Sequence, residues 1–222
     1  MEYKYIITDI NNKIFCCIYT SDNTCHYLKP LDSGSVVGNI YVGRVENVVK
    51  NINAAFIEIE DKQKCYYSIP DNKAPIFFNE KNNPAICQGD RILVKVTTEP
   101  LKTKPAKVSS KIELTGNYSV VSNDVKSVHI SKKIKSNEKI TEIKKRVADI
   151  LIQKQREAIK KTGYDYLSNF GIILRSGCAD ADINDIIKDV NALCDEYTDM
   201  LRKAVFSKFY TLVHKDRPEY IE

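Results

Sequence analysis

Five short β-rich segments lie between residues 36 and 114, and their number and spacing constrain the fold of this chain more than any other feature. They are rich in Val, Ile and aromatic residues and are separated by polar stretches. The segments are 40–48, 54–59, 65–69, 91–96 and 106–114. A long loop rich in Pro and Asn, 71–89, separates the third from the fourth. Strands this short favour a small closed β-barrel, of which the five-stranded OB barrel is the commonest form.

Shorter apolar runs on both sides of this stretch predict further strands. In the N-terminal part, 6–8 and 14–19 are β-rich and are separated by a turn signal at 9–12. A polar turn follows at 32–35. Near the other end, 209–214 also has the composition of a strand.

A long helix is predicted at 137–161, where apolar residues recur at helical spacing. Asn137 is suited to cap its first turn, and Gly163 is suited to end it. The recurring apolar residues are Ile140, Ile143, Val147, Ile150 and Leu151. This segment is therefore expected to bury one face.

The acidic stretch 180–185 indicates the start of a second helix rather than a calcium loop. It lacks the Gly of such loops at the sixth position, and Asn191 stands where the closing Glu belongs. With Asp182 as its cap, the helix is predicted over about 183–203. A short apolar strand, 171–175, precedes it.

Charge is distributed unevenly along a chain whose formal net charge is +5. Residues 102–161 contain 16 Lys/Arg against 6 Asp/Glu, so this segment carries +10 and the remainder carries −5. A basic segment in an otherwise acidic chain favours a polyanionic partner such as nucleic acid. The alternative is the solvated face of a Lys-rich helix, and charge alone leaves both open.

Cysteine and histidine usage argues against a metal site and against nucleophilic catalysis. The seven cysteines are odd in number and form no Cys-x-x-Cys pair, and Cys16 and Cys17 are adjacent, which favours reduced, mostly buried thiols. His26, His129 and His214 are scattered without a convincing Ser or Cys partner. No apolar run approaches the roughly 18 residues of a membrane span. A cytoplasmic protein without a membrane partner is expected.

Aromatic and basic residues of the predicted barrel suit the binding of single-stranded RNA. Phe56 and Tyr66 lie on adjacent predicted strands, and Lys102, Lys104 and Lys107 lie just before or within the last one. Single strands are held by bases stacked on exposed aromatic rings, with cations following the backbone. The alternative is that both rings belong to the core.

Blocks of sequence around these residues resemble the ribonuclease E/G family. Segments 37–59, 88–96 and 99–106 resemble its RNA-binding OB domain, which is of the ribosomal S-one type. Segment 109–120 is similar to the approach to the family's 5′-sensor, and 171–177 resembles the sensor motif. The resemblance extends over nearly the whole chain, and the order and spacing of the blocks are its most specific feature.

The resemblance implies an α+β fold in which a five-stranded OB-fold β-barrel is inserted in, or followed by, a mixed α/β RNase H-like and 5′-sensor region. The implied parts are 1–35 as the first part of an RNase H-like subdomain, 36–112 as the OB-fold RNA-binding domain, 113–207 as the 5′-sensor region and 208–222 as the start of a second RNase H-like part.

The family's RNA-contacting aromatics and lysine of the OB domain match Phe56, Tyr66 and Lys104. Tyr66 stands where the family usually has Phe, and a stacking face is retained. Glu60 and Cys65 stand where the family's barrel usually has glycines, so the turns around Tyr66 are expected to differ.

The resemblance also implies a pocket for a 5′ monophosphate. Its residues match Gly116, Val120, Arg175 and Ser176, with Lys132 and Lys133 where the family often has two arginines. A guanidinium presents a planar fork to phosphate oxygens. The hydroxyl of Ser176 replaces that of the family's Thr, and the absence of a side chain at Gly116 permits a close backbone approach.

The implied function is binding of single-stranded RNA with 5′-monophosphate sensing, as the N-terminal part of an endoribonuclease that acts in RNA processing, including rRNA processing, and decay. Family members cut RNA with a downstream DNase I-like subdomain that holds magnesium on two aspartates, and nothing in this sequence matches it. No catalytic or metal-binding residue is therefore assigned, and magnesium is expected only of the intact enzyme. The family often forms homo-oligomers through regions that this sequence lacks.

Two alternatives remain open at the level of sequence. One is a stand-alone, non-catalytic RNA-binding protein, which has the same binding residues but no cleavage partner. The other is a generic OB-fold translation factor, for which Arg175 has no role.

Overall fold

A computed structural model of the chain describes residues 3–11, 13–22, 24–30, 35–79, 81, 85–134 and 137–216. Contacts divide the chain into two compact units, one formed by 1–36 with 216–222 and the other by 37–215. Within the described residues, no helix is both long enough and apolar enough to cross a membrane.

The smaller unit contains a three-stranded antiparallel sheet. Its strands are β1 (Tyr3–Ile10), β2 (Lys13–Thr20) and β3 (Cys25–Pro30), in the order β1-β2-β3. The first two strands were predicted and are confirmed, whereas β3 was missed because its residues show no sustained apolar alternation. The turn predicted at 32–35 lies outside the described residues, except for Ser35.

The larger unit begins with a closed five-stranded barrel, as the spacing of the apolar segments predicted. Its strands are β4 (Ile40–Val49), β5 (Ala54–Glu58), β6 (Lys64–Ser68), β7 (Arg91–Thr98) and β8 (Lys107–Ser109). Strand β5 pairs with β4 and β6, β6 pairs in parallel with β8, and β7 pairs with both β8 and β4, which closes the barrel. This is a mixed barrel of the OB type.

The turn between β5 and β6 is built without glycine. Asp61 and Lys62 adopt left-handed backbone conformations, with φ of 52° and 57°. Such conformations are uncommon for residues other than Gly, although Asp tolerates them. Despite the expected departure here, Tyr66 lies directly opposite Phe56 in the β5–β6 ladder.

A second sheet follows the barrel. Its strands are β9 (Glu113–Thr115), β10 (Ser119–Ser122), β11 (Val128–Ile130) and β12 (Gly171–Leu174), in the order β11-β12-β10-β9. The prediction of one strand over 106–114 was wrong, because the chain leaves the barrel after β8 and enters this sheet at β9. Side-chain amides hold the crossing: Asn72 Oδ1 accepts from Ser110 N, and Asn123 Oδ1 accepts from Ile112 N.

Two helices pack with this sheet, α1 (Glu138–Thr162) and α2 (Ile183–Phe206). The predicted caps are confirmed. Asn137 Oδ1 accepts from Ile140 N at 2.8 Å, Gly163 ends α1 in the left-handed conformation, and Asp182 Oδ1 accepts from Asn184 N at 2.7 Å. The helix start predicted for the acidic stretch is therefore confirmed as well.

One apolar core joins the barrel to the helices. It combines Ile40, Val42 and Leu93 from β4 and β7 with the buried faces of α1 and α2. The last described strand, β13 (Thr211–His214), pairs antiparallel with β4. Residues 37–215 therefore form one body.

Candidate nucleic-acid interface

Phe56 and Tyr66 form a cross-strand pair on the outer surface of the barrel. Their ring centroids are 6.3 Å apart, and the planes meet edge to face at 77°. The flanking residues Ala55 and Ile57 are fully buried, so Phe56 points away from the barrel interior. Both rings are half-buried, which leaves part of each exposed for contact with a ligand.

Lys107 extends this pair into a row across three strands. It is the parallel partner of Tyr66, and its side chain is exposed. Lys102 and Lys104 lie in the turn that precedes β8, where Leu101 and Lys104 exchange backbone hydrogen bonds of 2.9 and 3.0 Å. Both lysines are exposed. The structure thus brings Lys107 beside the two aromatic rings and leaves Lys102 and Lys104 in the adjoining turn.

A second set of predicted residues meets at one edge of the β9–β12 sheet. Arg175 and Ser176 follow the end of β12, and Lys132 and Lys133 follow the end of its parallel neighbour β11. The turn 116–119 connects β9 to β10, and it lies at the same edge because Ser119 is the antiparallel partner of Leu174. Three separate segments therefore converge there.

Arg175 is fastened to the turn 116–119 by two hydrogen bonds. Its Nη1 donates to Gly116 O at 2.5 Å, and its backbone N–H donates to Tyr118 O at 2.8 Å. The side chain is half-buried. A guanidinium has five N–H donors, so the bond to Gly116 uses only part of the fork.

The remaining predicted pocket residues differ in their availability. Gly116 N–H donates to Ser119 O at 2.8 Å, so this amide is already engaged within the turn. Val120 is half-buried within the central strand β10. Ser176, Lys132 and Lys133 are exposed.

Asp189, which the sequence reasoning missed, contacts the same turn from helix α2. Its Oδ1 accepts from Asn117 N at 2.8 Å, and its Oδ2 accepts from Tyr118 N at 3.2 Å and from Ser119 Oγ at 2.7 Å. About 70 residues separate the partners in sequence. Helical spacing in the sequence predicts the face of α2 on which Asp189 lies. It does not predict that this face packs against the turn 116–119, so the single sequence held no signal for the contact.

All seven cysteines are free thiols. Burial raises the pKa of Cys65 to about 11 and that of Cys194 to about 12, so both stay protonated at neutral pH. Burial also raises the pKa of Cys178, whose Sγ–H donates to Tyr118 O at 3.1 Å. These thiols are structural in character, because a reactive cysteine needs a depressed pKa.

Carboxylates and other metal-binding groups do not cluster in the described ranges. Among those residues, no three His, Cys, Asp or Glu side chains are grouped so that they could hold a metal ion.

Comparisons with known proteins relate this chain to one family. The profile of the ribonuclease E/G family matches residues 113–222. Ribonuclease E of a Nostoc species is 26% identical over 184 residues, which is 81% of this chain and 24% of that protein. Ribonuclease G of Escherichia coli strain K12 is 31% identical over 124 residues, which is 51% of this chain and 25% of that protein. The chain spans about a quarter of the length of these curated relatives.

Proposed function

The chain belongs to the ribonuclease E/G family, and from that premise we propose that it binds single-stranded RNA and recognises a 5′-monophosphate end. In an intact family protein this binding would anchor the substrate for endonucleolytic cleavage during RNA processing and decay. The magnesium dependence of cleavage and any homo-oligomer belong to that whole protein and are proposals as well.

The observation that carries the proposal is the convergence of three segments at one edge of the β9–β12 sheet. Arg175, the turn 116–119 and the pair Lys132–Lys133 reach this edge from different strands. A planar guanidinium beside a hydroxyl and two ammonium groups is a suitable environment for a terminal phosphate, which carries more charge than a phosphate within the chain.

The barrel supports the single-stranded part of the proposal. Phe56 and Tyr66 offer partly exposed rings beside the ammonium group of Lys107. Unpaired bases stack on such rings in a manner that tolerates any sequence, whereas a duplex hides its base faces. Both groups of residues lie in the unit 37–215.

The test compares one short unstructured RNA with a 5′ monophosphate and the same RNA with a 5′ hydroxyl, by fluorescence anisotropy. We expect wild type to prefer the phosphorylated RNA and Arg175→Ala to reduce this preference by about tenfold or more, because a charge-assisted contact is lost. Arg202→Ala is the matched control, because Arg202 is exposed on α2 and its substitution removes the same positive charge.

Equal binding of the two RNAs by wild type and by Arg175→Ala would contradict 5′-end recognition. The chain would then be a general RNA-binding barrel. Loss of the preference in Arg202→Ala as well would mean that overall charge, and not the sheet edge, reads the 5′ end.

A further inference from the structure

The carboxylate of Asp189 is hydrogen-bonded to the turn 116–119 at three points. Its Oδ1 accepts from Asn117 N, and its Oδ2 accepts from Tyr118 N and from Ser119 Oγ. Charge-assisted bonds of this kind are roughly twice as strong as bonds between neutral groups. Three of them from one carboxylate fix both the position and the orientation of the turn.

Gly116 provides an independent observation of the same fit. A Cβ atom added there would lie 2.6 Å from Asp189 Oδ1 and 2.9 Å from Oδ2, closer than real Cβ atoms approach. Gly116 is not among the glycines with positive φ, so the backbone conformation does not account for the glycine. A side chain at position 116 would therefore force the carboxylate of Asp189 to move away from the turn.

Arg175 holds the same turn through its carbonyl groups. Its Nη1 donates to Gly116 O and its backbone N–H donates to Tyr118 O, while Asp189 takes the N–H groups of Asn117 and Tyr118. The four-residue turn is therefore held through its donors by Asp189 and through its acceptors by Arg175. Because Arg175 Nη1 donates to Gly116 O, a shift of the turn also moves the guanidinium group of Arg175.

We infer that Asp189 is a positioning residue for 5′-end recognition: it fixes the turn 116–119, and through that turn it aims Arg175 at the terminal phosphate. The inference rests on the proposed function. Asp189 does not itself contact the phosphate in this account, because its charge would repel the ligand.

The sign of the effect separates positioning from simple electrostatics. Asp189→Asn keeps the shape of the side chain but replaces one acceptor oxygen with an NH₂ group, which then faces N–H or O–H donors of the turn. If Asp189 were only a nearby negative charge, or an internal anion competing with phosphate, its removal would strengthen binding of the phosphorylated RNA. The positioning role requires the opposite.

The experiment measures anisotropy of the full 222-residue chain with the 5′-monophosphate RNA and the 5′-hydroxyl RNA. We expect Asp189→Asn to lower the ratio of the two affinities by about tenfold and to leave affinity for the 5′-hydroxyl RNA unchanged. Asp185→Asn is the matched control, since it removes the same charge one helical turn earlier, where the residue is exposed. That control is expected to behave as wild type.

Ser119→Ala covers the case in which Asp189→Asn fails to fold. It deletes only the hydroxyl that donates to Asp189 Oδ2, from a residue that is fully buried, and leaves every charge in place. We expect a smaller reduction of the affinity ratio, about threefold.

The outcomes distinguish the inference from the function on which it rests. Equal binding of both RNAs by wild type removes 5′-end recognition, and the inference with it. A wild-type preference that persists or grows in folded Asp189→Asn or Ser119→Ala overturns the inference alone. An equal loss for both RNAs also overturns it, because it would indicate general loss of structure.

Discussion

The ring of Phe56 packs against Tyr66 and is only half-buried, so part of it is exposed for contact with a ligand. Its chain neighbours Ala55 and Ile57 are fully buried, and its ring and that of Tyr66 meet edge to face with centroids 6.3 Å apart. Edge-to-face pairs of this kind stabilise both rings in fixed orientations. A ring that is already ordered loses little conformational entropy when a base stacks on it, which favours binding.

Phe56→Ala should weaken binding of single-stranded RNA whatever its 5′ end. We expect a loss of roughly 1–3 kcal/mol of binding free energy, the typical contribution of one stacked base, for both the phosphorylated and the hydroxyl RNA. Anisotropy titrations measure it directly. Phe206→Ala is the control, because Phe206 is a 77% exposed ring at the end of α2 and is not part of the row formed by Phe56, Tyr66 and Lys107. Unchanged affinity in Phe56→Ala would show that the ring serves only the outer packing of the barrel.

At the scale of elements, Arg91 ties the barrel to the end of helix α2. Its Nη2 donates to Val205 O at 3.1 Å and its Nη1 to Ser207 O at 3.3 Å, and its guanidinium lies 5.4 Å from the ring centroid of Phe78. These carbonyls lie at the C-terminal end of the helix, where backbone acceptors lack helical partners and the helix dipole favours a cation. One side chain thus joins β7, the long loop and α2.

Arg91→Lys should therefore lower the free energy of unfolding, although the charge is conserved. We expect a loss of about 1–3 kcal/mol, because an ammonium group cannot reproduce the planar two-carbonyl contact or the stacking on Phe78. Urea denaturation followed by circular dichroism measures it, with the exposed Arg156→Lys of α1 as control. If the two variants are equally stable, the contact to α2 contributes nothing beyond its charge.

Sequence reasoning succeeded for elements whose signal is local. The caps Asn137, Asp182 and Gly163 act within one turn of their own helix. Apolar periodicity located α1, and the capping signal at Asp182 located α2. It failed where partners are distant. Strand β3 is defined by pairing with β2, and the split of 106–114 depends on the amides of Asn72 and Asn123.

The candidate site shows the same division. Phe56 and Tyr66 were predicted from their residue type on adjacent predicted strands and from the resemblance to the ribonuclease E/G family, and Arg175 was predicted from that resemblance. Asp189 was not, because only the folded chain brings α2 to the turn 116–119. The roles of these residues in RNA binding stay predictions, whereas their positions follow from the fold.

At the scale of the whole molecule, the residues proposed to bind RNA lie in one compact unit. The row of Phe56, Tyr66 and Lys107 and the edge of the β9–β12 sheet that carries Arg175 both lie in the unit 37–215. Within the described residues, no group of three His, Cys, Asp or Glu side chains is placed to hold a metal ion. Magnesium binds to carboxylates in near-octahedral geometry, usually through one or two of them together with phosphate oxygens. The stretches that match this chain make up 24% of the Nostoc ribonuclease E and 25% of the Escherichia coli ribonuclease G.

The 222-residue chain should therefore bind a 5′-monophosphate RNA without shortening it. We expect an end-labelled unstructured RNA to remain intact on a denaturing gel after incubation with the protein and magnesium, under conditions in which anisotropy shows it fully bound. A parallel incubation with EDTA identifies contaminating nuclease that needs no metal. Arg175→Ala, purified in the same way, provides the second control, because a genuine activity should follow the affinity for the 5′ phosphate. Cleavage that requires magnesium, produces defined fragments and falls in Arg175→Ala would move the catalytic centre into this chain and would require carboxylates to assemble around the metal only when RNA is bound.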